Sequence, residues 1–230
     1  MRRSVWYFIV WFLFARTEIG QPVTEQTAIR ALEQAEARRE AQLAGYSVTE
    51  EYAIRSSRFN KSAAMTVRTI YRLGEGKSYN VLARSGSAVL QTKVFDQLLQ
   101  EEAEMSRGEA RRHALVNSEN YILRLAGEET RAGRRCYVLE LTPRAKSTHL
   151  LRGHAWIDKE DGSLIRIEGK PTASPSFLTG RPLVIRDYEK VADFWLAKSS
   201  QAASDSFFLG KTQLSIEYLD YHLLKGVDAE

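Results

Sequence analysis

The chain has 230 residues, of which 43% are hydrophobic and 27% charged, with a formal net charge of +4. This composition excludes a disordered chain and suits one sizeable globular domain. Basic and acidic residues are interspersed, which excludes a nucleic-acid-binding stripe, and the single Cys136 excludes an internal disulfide and a Cys-rich metal site.

Arg2 and Arg3 stand before an apolar run from Val5 to Phe14. A basic start followed by about ten apolar residues is the pattern of a secretory signal, and the run is short of the roughly 20 residues that cross a bilayer. Residues 1–20 are therefore expected to be a signal peptide and residues 21–230 a single exported domain, with a retained N-terminal anchor as the alternative. Residues 1–20 hold three Arg and one Glu, so their removal lowers the formal charge from +4 to +2.

Thr24 is a candidate N-cap, and Glu25 follows in the turn where the helix dipole favours an acid. The Ala-, Glu- and Arg-rich stretch Glu25 to Ala44 predicts a helix with a thin apolar stripe of Ala28, Leu32, Ala35 and Leu43, ended by Gly45. Strands follow. The first runs from Tyr46 to Phe59, with Val48, Tyr52 and Ile54 on one face and Glu50 interrupting it; the second carries Met65, Val67, Tyr71 and Leu73. Ser78–Ala83 and a short Ser87–Gln91 complete a meander joined by Asn60-Lys61-Ser62 and Gly74-Glu75-Gly76-Lys77 turns. Between Lys93 and Val116 the spacing of Val94, Phe95, Leu98 and Leu99 becomes helical, which predicts one or two short helices inserted into the β pattern.

Strand patterns then resume at Tyr121–Leu125 and Cys136–Thr142, with Gly127 to Gly133 read as a loop between them. Leu150 to Pro171 reads as one hairpin, with Lys159-Glu160-Asp161-Gly162 as its turn. In it, Trp156 alternates with Ala155 and Ile157, and Ile165 shares a face with Ile167. Leu183–Tyr188, Val191–Ser199 and Phe207–Leu219 close the series, the last with Leu214, Ile216 and Tyr218 on one side. About ten strands joined by short turns must curl or close, because a twisted open sheet of that size does not stay flat. The expected fold is mainly β (α+β): a curved antiparallel sheet forming an incomplete barrel, with the N-terminal helix and the helical insertion covering its concave face.

Catalytic signatures are absent from the sequence. His113, His149, His154 and His222 form no HExxH spacing, and there is no GxSxG, P-loop or GxGxxG element. His154, Trp156 and Asp158 read as a surface ladder, and Asp158, Glu160 and Asp161 as a solvated turn without EF-hand spacing. Cys136 reads as a small buried residue. No enzyme, no metal and no cofactor are expected.

The stretches RLAGEETRAGRRCYVLELTPR, GHAWIDKEDGSLIRIEGKP, VADFWLAKSS and TQLSIEYLDY, all within Leu123–Tyr218 apart from the closing Leu219-Asp220-Tyr221, are similar to the outer-membrane lipoprotein-sorting group of the LolA/LolB superfamily. The resemblance covers about half the chain and implies a half-barrel that carries or senses acyl chains in the periplasm without chemistry. On that reading the candidate apolar cavity wall is Val48, Tyr52, Ile54, Val67, Tyr71, Tyr137, Leu139, Trp156, Leu214 and Ile216. The implied partner is a lipid or lipoprotein acyl chain, bound by a monomer. The alternative is an interaction or sensor module that uses the same half-barrel on an envelope membrane protein. A hydrolase with a site of unrecognised pattern is the third reading.

Overall fold

The computed structural model describes residues 24–57, 60–174, 181–206 and 210–224. The expected signal peptide, the end of the first predicted strand at Phe59, and Phe207 and Phe208 lie outside them. The described strands are β1 (Gly45–Ser56), β2 (Lys61–Arg72), β3 (Gly76–Gly86), β4 (Tyr121–Arg131), β5 (Arg134–Pro143), β6 (Leu151–Asp158), β7 (Leu164–Pro171), β8 (Leu183–Val191), β9 (Phe194–Ser206) and β10 (Gly210–Leu224). They form one antiparallel sheet in the order β3-β2-β1-β10-β9-β8-β7-β6-β5-β4, not closed into a barrel. The sheet edges are therefore β3 and β4, and the segment that joins them has to travel from one edge to the other. That segment holds α2 (Ala88–Leu90), a π-helical stretch Gln91–Asp96, α3 (Gln97–Met105) and α4 (Gly108–Ala114). The N-terminal helix is α1 (Glu25–Gln42).

The register aligns one row of residues across all ten strands: Gly86, Ala63, Ile54, Leu214, Ala202, Val184, Gly169, Gly153, Leu141 and Leu123. Residues paired in this way share a face. The helices lie on this face, the inner one. Gly153 and Gly169 face each other where β6 and β7 approach closely: a Cβ on Gly153 would lie 2.0 Å from Glu168 O, and one on Gly169 2.5 Å from Arg152 O.

Two apolar clusters occupy the inner face. In the first, Ala28 and Leu32 of α1 pack on Leu123, Tyr137, Leu139, Leu141, Ala155, Ile157 and Ile167. In the second, Val94, Phe95 and Leu99 of the insertion pack on Val48, Tyr52, Ile54, Val67, Leu214 and Ile216. A third cluster of Cys136, Val138, Trp156 and Ile165 lies on the outer face.

Four expectations change. Ser87–Gln91 starts the helical insertion instead of forming a strand. Gly127 to Gly133 is mostly strand, because a bulge between Leu125 and Gly127 lets β4 continue to a tight turn at Ala132 and Gly133. Gly45 opens β1 and does not take a left-handed helix-ending conformation. It is small because an added Cβ would lie 2.3 Å from Tyr71 O, and α1 ends at Leu43, whose N–H donates to Arg39 O at 2.9 Å. Ile165 and Ile167 part company: a bulge sets Ile157 opposite Leu164 and Trp156 opposite Arg166, so Ile165 turns outward while Ile167 stays inside.

Candidate functional site

The second row of the register is the core of the candidate site. It runs Met65, Tyr52, Ile216, Ser200, Arg186, Ile167, Ala155, Leu139, Leu125. Alternation along each strand makes it inner-face throughout. It is apolar at both ends and polar in the middle. Around that middle, Glu50, Thr69, Lys77, Tyr79 and Tyr218 join it from neighbouring strands, and Glu102 reaches down from α3.

Lys77 holds the group together. Its Nζ lies 2.8 Å from Glu102 Oε2 and 3.8 Å from Glu50 Oε1. The Tyr79 hydroxyl donates to Glu102 Oε2 at 3.2 Å, and the Tyr52 hydroxyl donates to Glu50. Backbone contacts fix the same corner: Lys77 N donates to Ser106 Oγ at 2.7 Å, and Arg107 Nε donates to Glu75 O at 3.0 Å. Glu50 is fully buried, whereas the Lys77 and Glu102 side chains keep 17% and 16% of their exposure, so the cluster opens towards solvent on the α3 side.

The two carboxyls shift in opposite directions. Burial pushes the Glu50 carboxyl up, and the more distant Lys77 ammonium does not reverse it. Burial also acts on Glu102, but there the closer Lys77 ammonium and the Arg186 guanidinium win and hold it below the usual range. Lys77 stays charged because Glu102 and Glu50 outweigh its own burial. Burial likewise raises Tyr46, Tyr52, Tyr79, Tyr218 and Tyr221, so these hydroxyls stay protonated, and Tyr52, Tyr79 and Tyr221 act as donors.

Of the predicted wall residues, Val48, Tyr52, Ile54, Val67, Leu214 and Ile216 come together under the insertion, and Tyr137 and Leu139 lie under α1. Tyr71 is buried beside Tyr46, with ring centroids 5.2 Å apart. Trp156 does not join them. Alternation from Ala155 and Ile157 puts it on the outer face, where the Arg131 guanidinium sits 4.7 Å from its ring and its Nε1 donates to Glu129 at 2.8 Å. The acidic hairpin turn is also more structural than a solvated turn. Asp158 is 1% exposed and pairs with Arg134, Asp161 accepts from Trp195 Nε1 at 2.9 Å, and Arg38 of α1 donates to Asp161 O at 2.6 Å. Burial raises the Cys136 thiol, which fits a small core residue.

Sequence reasoning marks Glu50 only as an interruption of the first strand's apolar face and does not single out Lys77, Glu102 or Arg186. Glu50 lies between Val48 and Tyr52 at inward parity, Arg186 lies between Val184 and Tyr188 in the same way, and Glu102 follows Leu99 and Phe95 at three- and seven-residue spacing. Each signal is a charged residue placed where the period calls for an apolar one.

On the outer face, a groove of about 430 Å3 is lined by Arg152, Lys170, Pro171, Thr172 and Arg181. A second, of about 390 Å3, continues it past Lys170 and Arg181 to Lys211 and Gln213. None of the predicted wall residues lines either groove.

The geometry can be set beside known proteins. No protein-family model matches the chain, and no curated protein matches it. Among solved structures, a Vibrio parahaemolyticus domain provisionally named an outer membrane lipoprotein-sorting protein aligns over 89% of this chain and 95% of its own, with 12% identity and a TM-score of 0.51. The fold is LolA-like. A LolA superfamily protein from Nitrosomonas europaea aligns over 90% of this chain and 96% of its own at 12% identity, with a TM-score of 0.48. Pseudomonas aeruginosa MucB in its complex with MucA covers 88% of this chain and 99% of its own at 13% identity, with a TM-score of 0.28. At these identities the likeness is one of backbone architecture. Among the described residues, no helix is long and apolar enough to cross a membrane.

Proposed function

We propose that the protein is a non-enzymatic carrier that shelters the acyl chain of a lipid or lipoprotein on the inner face of its half-barrel, in the periplasm. The observation that carries this reading is the seating of the insertion. Val94, Phe95 and Leu99 are its buried residues, and they sit on the wall formed by Val48, Tyr52, Ile54, Leu214 and Ile216. An acyl chain that displaced them would meet an apolar surface already formed, gaining about 0.8 kcal/mol per buried CH2. The π-helical turn that carries Val94 and Phe95 is a rare geometry, found often at functional sites. The LolA-like fold supports the same reading. The export pattern of residues 1–20 supports the location.

A second reading is favoured by the ion cluster. Lys77 of β3 bonds Glu102 of the insertion and Glu50 of the sheet, the edge strand β3 exposes Val81 and Leu82, and Val89 of α2, which follows it in the chain, is 61% exposed. A module with its inner face permanently filled would bind an envelope protein along that edge. Native mass spectrometry of the protein purified from a bacterial periplasm, with organic extraction of any bound mass, separates the two. Co-purifying lipid or acylated peptide is the expected result. Apoprotein that also takes up no fluorescent fatty acid removes the carrier reading in favour of the protein-binding one.

A further inference from the structure

Arg186 forms no ion pair among the described residues, although its charge helps to hold Glu102 low. It stands at the midpoint of the second register row, between Ile167 on one neighbouring strand and Ser200 on the other. Its side chain bonds Tyr188 and lies near Tyr218 and Glu102, yet no carboxylate among the described residues comes within ion-pair distance of it. Its Nε is buried without a hydrogen-bond partner. Glu102, the nearest acid, is already taken by Lys77 at 2.8 Å and by Tyr79 at 3.2 Å. Arg186 as a whole is half-buried, but a buried Nε–H with no acceptor is costly unless an acceptor such as an anion meets it.

The surroundings are built from donors. The Tyr188 and Tyr218 hydroxyls lie beside the guanidinium, and Ser200 faces it across the β8–β9 pair at 7% exposure. The wider set of charges is Lys77, Arg186, Arg39 and Arg111 against Glu50, Glu102, Glu36 and Glu40. Arg39 and Arg111 are both paired with Glu36, and Arg111 also with Glu40. Arg186 is thus the cation of this set with no acid at ion-pair distance, Glu102 acting on it from farther away. Apolar surface flanks it on both sides, with Leu139 and Ile167 one way and Tyr52 and Ile216 the other.

We infer that Arg186, with the Tyr188, Tyr218 and Ser200 hydroxyls, forms a subsite for an oxyanion headgroup, a phosphate ester or a carboxylate, whose acyl chain lies on the adjoining apolar surface. Arginine suits this role because its planar fork meets two oxygens of such a group at once. The inference rests on the carrier reading in taking the inner face as the binding surface.

The test uses purified protein and four probes: lysophosphatidate, lysophosphatidylcholine and monoacylglycerol of one chain length, and inorganic phosphate. Affinities are measured by calorimetry for wild type, Arg186→Met, Arg186→Gln and Arg186→Lys. The expected result is lysophosphatidate at least tenfold tighter than monoacylglycerol, with the preference abolished in the Met and Gln variants and partly kept in the Lys variant. The Met variant also loses the Tyr188 hydrogen bond and the attraction to Glu102, so a melting curve of each variant confirms that it is folded at the temperature of the binding measurement. Equal affinity for the charged and neutral probes, or a preference that survives Arg186→Met, would each overturn the inference while leaving the carrier reading in place. Phosphate bound in an Arg186-dependent way without binding of any acyl probe keeps the anion subsite, assigns it to free phosphate and removes the carrier reading. No binding of any probe removes both.

Discussion

The two halves of the inner face are covered in different ways. Under α1 the packed floor is apolar, with Leu139, Leu141, Ala155 and Ile157 all fully buried, and the polar contacts of the helix, such as Glu25 accepting from Leu125 N and Arg38 donating to Asp161 O, lie at its exposed margins. Under the insertion, an apolar floor of similar size adjoins a buried cluster of Glu50, Lys77 and Glu102. The first half is what a stability argument asks for, since each buried side chain contributes about 1.5–3 kcal/mol without a desolvation cost. The second includes charges whose desolvation offsets much of their attraction. The comparison teaches that α1 belongs to the core, while the insertion is held by contacts that are easier to exchange for water or ligand.

The largest expected effect tests that division directly. Leu139→Ala should cost about 3–4 kcal/mol of global stability, read as a shift in the urea midpoint. Phe95→Ala removes a larger side chain that is equally buried. If the insertion opens by itself, its main effect is local: residues 88–114 should lose amide-exchange protection while β5 to β7 keep theirs. An equal global loss in both variants would make the insertion part of the core.

Next in size is Lys77→Met, expected to cost about 3 kcal/mol because Glu50 and Glu102 are left in a buried site without their cation. Adding Glu102→Gln to Lys77→Met should recover part of the loss, and thermal melts of the two variants measure it.

Glu50→Gln should act the other way, because it keeps an acceptor for the Tyr52 hydroxyl and removes a buried charge. Its expected gain is about 1 kcal/mol at pH 7. The pH dependence follows from the direction of the shift. The folded state raises the Glu50 carboxyl above its ordinary value of 4.5, so it binds the proton more tightly than the unfolded chain does. Its favourable contribution is present below about pH 4.5 and is lost as pH rises through the folded value, so the gain from Glu50→Gln should shrink on acidification. Glu102, held low, contributes above the carboxylate range and loses that contribution as pH falls, so Glu102→Gln should show the opposite trend. Parallel trends would mean that the two acids share one environment.

Much of this asymmetry was legible in the chain, and the reasons for the rest are physical. Period-two alternation exposed Val48, Tyr52 and Ile54 and nearly every strand, because inner-face burial imposes it. The same alternation set Trp156 opposite Ala155 and Ile157, and its inclusion among the wall residues gave aromatic bulk more weight than parity. Ser87–Gln91 is too short for its apolar residues to distinguish strand from helix. The bulges after Leu125 and at Ile165 shift side chains by one position, and no local residue type marks them reliably. The cluster of Lys77 with Glu50 and Glu102 joins β1, β3 and α3 across 25 and more residues of sequence, so it became visible only when the register was known.

The smallest effect concerns the seam between the two covers. Arg111 of α4 pairs with Glu40 at 2.5 Å and Glu36 at 3.3 Å on α1, and Ser118 Oγ donates to Glu33 at 2.5 Å. These contacts are polar and partly exposed, so Arg111→Ala should cost only about 0.5 kcal/mol. Its kinetic effect should be more visible. If ligand enters by parting the insertion from α1, uptake of a fluorescent fatty acid should be faster in Arg111→Ala at low salt. Wild type and variant should then converge near 1 M salt, where the screening length falls to about 3 Å. Uptake that ignores both the substitution and the salt would place the entrance elsewhere, and would leave the edge beside β3 as the side on which the insertion lifts.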